Sequence, residues 1–189
     1  MTITPTPTAR HRHRDHGQSV AELALVLPVL LLVLLSILQI GFLLFTQVGL
    51  INAAREAARN ASNIPVSTVA QASTAADAYY LRLTDASTGF LTRNVSGYDD
   101  SHLIDTGAPK TRVCYYSFTD ASGAPAVMAR VDVQYSHPLF VPIISTILDA
   151  FDGATDGGFR MSVLEDIRVA NPVPTTTNIG DINSQTCNA

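Results

Sequence analysis

Between Leu23 and Phe45 lie 23 consecutive residues without a charged side chain, most of them Leu, Val or Ile. As a helix rising 1.5 Å per residue they span about 35 Å, enough to cross a hydrocarbon core of about 30 Å. A helix in the core of a soluble protein rarely runs so far without a polar face. Pro28, Ser36, Gln39 and Gly41 interrupt the run, but a membrane helix tolerates such residues where neighbours satisfy the freed backbone groups. The chain is therefore expected to cross a membrane once. A secretory signal peptide is a poorer match: its apolar region is about 7–15 residues and ends at a small-x-small cleavage site. No clean Ala-x-Ala follows this run within reach.

Charge orients the segment. Up to Gly17 the chain has Arg10, Arg12 and Arg14 against Asp15, a balance of +2, with His11, His13 and His16 among them. Beyond Gly17, nine basic side chains face fifteen acidic ones, a balance of −6. The positive-inside rule places the N-terminus in the cytoplasm and everything after the helix outside it. An acidic domain has no broad attraction for nucleic acid, so no nucleic-acid partner is expected and the basic cluster reads as a topogenic signal.

The sequence past Phe45 continues as helix. Ala53, Ala54, Ala57, Ala58 and Ala61 are strong helix formers, and nothing breaks the pattern before Ile64-Pro65. Residues 18–62 thus form one predicted helix of about 67 Å. A second helix is expected over 67–84, where Val69, Ala72, Ala76, Tyr79, Tyr80 and Leu83 recur at spacings of three and four. Residues 86–111 read as loop. Residues 111–118 and 127–135 read as strands joined by a turn, the second with strict alternation of Val127, Ala129, Val131, Val133 and Tyr135. An apolar stretch over 139–151 suggests a short helix or surface-associated segment, and 159–169 a third strand. The predicted class is α+β: a long N-terminal transmembrane helix, then a small extracytoplasmic domain with a β-hairpin or small antiparallel sheet. The divisions are a basic leader (1–17), the extended helix (18–62), the domain (63–170) and a flexible tail (171–189).

Few residues suggest chemistry. Cys114 and Cys187 fit no zinc spacing, and in an oxidising compartment they can pair as one disulfide or stand as separate thiols. The loops Asp85-Ala86-Ser87-Thr88-Gly89 and Asp120-Ala121-Ser122-Gly123-Ala124 are only fragments of a metal-binding Asp-x-Ser-x-Ser pattern. Asp99, Asp100, His102 and Asp105 read as a solvated loop, and Asp152–Gly157 lacks the ligand spacing of an EF-hand. With no nucleophile-base or phosphate-loop arrangement, neither enzyme activity nor a metal or other cofactor is expected.

The informative constellation is GQSVAEL, residues 17–23, set against the apolar run. A carboxylate such as Glu22 costs about 2.5–3.5 kcal/mol at the bilayer centre, less at the interface, and usually has a partner. Cleavage after Gly17 would create a cationic amine on Gln18 that can pair with Glu22 of a neighbouring subunit. In a plain anchor, Glu22 would simply rest at headgroup level.

Gly17, Glu22, the Ala24-Leu25-Val26-Leu27-Pro28 stretch, the Leu/Val run and Asn52-Ala53-Ala54-Arg55-Glu56-Ala57-Ala58-Arg59 together resemble the TadE-like family of the tight-adherence (Tad) pilus system. Tyr135-x-x-Pro138-Leu139-x-x-Pro142 is similar to a weaker C-terminal pattern of that family. The resemblance implies cleavage between Gly17 and Gln18 by a prepilin peptidase. It also implies a mature minor pilin or pseudopilin that works with other Tad pilins and the secretion machinery, possessing no enzyme activity of its own. Leu23 stands where the family more often has Phe, and the domain far exceeds the very short major pilin. Both departures argue against a main filament subunit. The rival expectation is an uncleaved, signal-anchored extracytoplasmic binding domain.

Overall fold

A computed structural model of the chain describes residues 14–141, 144–147, 157–170 and 187, with side chains described from Ser19 onward, Pro125 excepted. Most of the leader, most of the tail and part of the 139–151 stretch lie outside these residues. The architecture is α+β: one long apolar helix followed by a three-stranded antiparallel sheet.

Helix α1 runs Arg14–Ser62 without a break, 49 residues with Pro28 inside it. It begins four residues before the expected start at Gln18. Gly17 alone does not stop it, because one interior glycine costs only about 1 kcal/mol and no proline stands beside it. Helix α2 (Val69–Thr84) follows a tight connection. Thr68 caps it: its hydroxyl accepts from the Gln71 amide at 3.2 Å, while Gln71 Oε1 accepts from the Ser67 amide at 3.0 Å.

Residues 86–111, expected as loop, contain a short helix α3 (Phe90–Asn94) and a 3-10 turn at Asp100–His102. Phe90, Leu91 and Val95 bury themselves against α1, so tertiary packing creates order that local composition does not announce.

Strands β1 (Arg112–Thr119), β2 (Pro125–Pro138) and β3 (Gly158–Arg168) form a meander in the order β1-β2-β3. Tyr115 pairs with Ala129, Val133 with Val163, and Tyr135 with Met161. Period-two geometry puts these residues on one face, with Val113, Val127 and Val131. The helices lie on that face, α2 against β1 and α1 against β2 and β3. The layers meet in a single apolar core.

The opposite sheet face is polar. Arg130 grips Asp166 with two bonds of 2.8 and 2.9 Å and lies 4.6 Å over the Tyr116 ring. Cys114, on this face by register with Arg130, is buried and disulfide-bonded to Cys187. The Arg112 guanidinium donates to the Cys187 carbonyl. Cys187 is thereby held against the sheet.

Candidate membrane and assembly segment

Helix α1 changes character at Gln39. Val20 to Leu38 is solvent-facing on every side, with Leu25 at 76% exposure and Ile37 at 62%. Nineteen residues at 1.5 Å make about 28 Å of bare apolar shaft, close to the hydrocarbon thickness. An exposed apolar surface of that extent is not stable in water and calls for lipid or other helices. Inside the shaft the Ser36 hydroxyl donates to the Leu32 carbonyl at 2.6 Å, which satisfies it without a partner helix.

From Gln39 onward one stripe of α1 turns inward: Gln39, Leu43, Thr46, Leu50, Ala53 and Ala57, at spacings of three and four. The alanines let the sheet approach closely. Gly49 does the same for α3: a Cβ there would stand 2.5 Å from the Asn94 carbonyl oxygen. Polar clasps flank the stripe. The Glu56 carboxylate accepts from Arg93 Nη2 and Asn94 Nδ2, both at 3.0 Å, and Arg55 Nε reaches Glu165 at 2.9 Å. These pairs are largely exposed and worth at most about 1 kcal/mol each, so they orient the contact more than they stabilise it.

At the boundary between shaft and domain, Gln39 is fully buried. Its Oε1 accepts from the Val141 amide at 3.0 Å, while its Nε2 has no partner among the described residues. One turn on, the Phe42 and Phe140 rings meet edge to face at 6.0 Å. Further along, Thr46 Oγ1 lies 3.4 Å from His137 Nδ1. Burial, with His102 adding to it, lowers the His137 pKa below the ordinary histidine value.

The residues singled out in the sequence divide into two groups. Gly17 and Gln18 are within the helical backbone of α1, and Glu22 is exposed on its first described turns, four residues from Gln18 and hence on the same helix face. Cys114 and Cys187 are on the sheet's polar face. The two aspartates of the Asp-x-Ser fragments fasten turns. Asp85 accepts from the Ser87 and Thr88 amides at 2.9 and 2.6 Å, and Asp120 from the Ser122 and Ala124 amides at 2.9 and 3.0 Å. The amide bonds hold the Asp85 carboxyl below the usual range, and the Ser122 hydroxyl together with the amide bonds does the same for Asp120. Among the described residues no group of three or more His, Cys, Asp or Glu stands where it could hold a metal.

Three contributors escaped the sequence reading: Gly49, Glu56 as a clasp, and Phe140. Gly49 had one available signal, a glycine inside a strong helical pattern, which marks a close approach. The partners of Glu56 and Phe140 are distant in sequence and leave no local trace.

Residues 17–59 match the family model described as TadE-like protein. The match covers the shaft and most of the packed stripe and ends before the sheet. No curated protein and no solved structure matches the chain.

Proposed function

We propose, from the TadE-like character of residues 17–59, that the chain is a minor pilin or pseudopilin of a tight-adherence pilus or its secretion machinery. The observation that carries this reading is the matched segment's two-part helix: a bare apolar shaft of membrane length with Glu22 near its start, continuous with a stripe that anchors a folded domain. A shaft of that kind can lie in lipid and later exchange lipid for neighbouring helices without refolding, which is what a subunit extracted from a membrane into an assembly requires. The reading makes the protein structural rather than enzymatic, with the leader in the cytoplasm and the sheet domain outside it.

Processing between Gly17 and Gln18 by a membrane-embedded prepilin peptidase is part of the proposal. Glycine suits a narrow protease site, and the cut would free the Gln18 amine one turn from Glu22. The partners are that peptidase, other Tad pilins and the membrane. The domain division goes with it: leader 1–17, helix 18–62, domain 63–170, tail 171–189.

The test is mass spectrometry of the membrane-bound protein from cells that hold the peptidase. A mature N-terminus at Gln18, and its loss in Gly17→Val, supports the proposal. Retention of Met1 on most of the protein would instead favour the uncleaved, signal-anchored binding domain.

A further inference from the structure

We propose that Phe140 and Ile144–Ile147, tethered to α1 by the buried Val141, form a second membrane contact, a foot that seats in the interfacial layer of the bilayer that α1 crosses. The inference rests on the reading of α1 as membrane-spanning and adds a lipid-binding surface on the domain itself.

Three contacts show where this segment sits. His137 lies beside Thr46, Phe140 beside Phe42, and the Val141 amide bonds to Gln39. Each step along the chain moves toward the N-terminus of α1, and the last reaches the residue where the bare shaft begins. With Leu23 to Leu38 in the hydrocarbon core and Glu22 at its inner edge, Gln39 and Val141 lie toward its outer boundary. The segment continues from there as a helical turn, in which the Ser145 amide bonds to the Val141 carbonyl at 2.9 Å.

Chemistry agrees with that level. Residues 138–148 contain no charged side chain. Phe140 is 52% exposed, Ile147 54% and the adjoining Phe42 55%. Elsewhere on the described α2-to-β3 surface the exposed large apolar residues, Leu81 and Leu164, stand singly. The foot thus extends the apolar surface of the shaft sideways instead of forming an isolated patch. An uncharged apolar foot takes its binding from buried area, so a zwitterionic bilayer suffices and anionic lipid is not required.

The chain has no tryptophan, so one introduced indole reports alone. The full chain is reconstituted in phosphatidylcholine vesicles as Phe140→Trp, as Ile147→Trp and as Leu31→Trp, with lipids brominated either near the headgroup or deep in the acyl chain. The expected result is blue-shifted emission from the first two variants, quenched more strongly by the shallow bromines, with Leu31→Trp quenched by the deep ones. Water-like, unquenched emission at 140 and 147 beside a quenched Leu31→Trp would overturn the foot and leave the spanning helix standing. Blue-shifted but unquenched emission would mean that a protein surface covers the segment, and would also overturn it. An unquenched Leu31→Trp would remove the spanning helix and the foot together.

Discussion

The Tyr115 hydroxyl donates to the Ala61 carbonyl at 3.0 Å, in a fully buried contact between β1 and the last turn of α1. A helix ends with carbonyls that lack intrahelical partners, and here the sheet domain supplies them. The Ile64 amide shares Ala61 at 3.3 Å, and the Ala170 amide bonds to Ser62 at 2.9 Å. Burial also raises the Tyr115 pKa, so the phenol remains a donor across the physiological range. We predict that Tyr115→Phe, which keeps the ring, lowers stability by about 1 kcal/mol. Thermal unfolding of the full chain in detergent, followed by near-ultraviolet circular dichroism, measures this; an unchanged midpoint would show that the bond contributes nothing net.

Two glycines of α1 should respond in opposite ways. Gly49→Ala places a methyl against the Asn94 backbone, which cannot rotate aside, and should cost roughly 1–3 kcal/mol by forcing α1 and α3 apart. Gly41→Ala meets nothing within 4 Å and should gain roughly 0.5–1 kcal/mol from helix propensity. Chemical denaturation of both variants is the measurement. Equal effects at the two sites would refute the close-approach argument.

The depressed pKa of His137 has a definite sign for stability. Folding favours the neutral ring, so the contribution is present above the unfolded value of about 6.5 and is lost as pH falls through the lower folded value. We predict that stability declines on acidification below about pH 6.5, and that His137→Gln flattens the decline. Denaturation midpoints at a series of pH values give the slope; an identical slope in the variant would assign it to other groups.

Glu22 is the residue on which assembly should depend. A carboxylate at the membrane edge of an apolar helix is a cost in an isolated anchor, but paired with a neighbour's Gln18 amine it fixes axial register between apolar helices that otherwise slide. We predict that Glu22→Ala inserts into membranes as well as the parent chain yet fails to recover pilin partners. Membrane fractionation and co-purification compare the two. Recovery of the same partners at parental levels would make Glu22 a bystander.

The elements that sequence made legible are those with a sustained period. Alternation over 127–135 announces β2, and the three-four spacing of Val69 to Leu83 announces α2, because one face of each is buried along its whole length. Helix α3 has only five residues and owes its form to burial of Phe90 and Leu91 against α1, which local composition does not encode. The turn at Gln39 from bare shaft to packed stripe was equally hidden, since Leu on a lipid-facing side and Leu on a core-facing side read alike. At the candidate site, Glu22 stands out as a carboxylate at the edge of an apolar run. Its proposed partner belongs to another chain, so a single chain cannot display the pair.

The unbroken course of α1 from Arg14 to Ser62 makes shaft and sheet one threaded body. A helix advances 1.5 Å and turns about 100° with each residue. Sliding the shaft by one residue against a neighbour, to keep the same side chains in contact, therefore demands that the sheet domain swing about 100° around the helix axis. Depth and compass bearing are a single variable in this protein: whatever sets how far the shaft is drawn out also sets which way the domain faces.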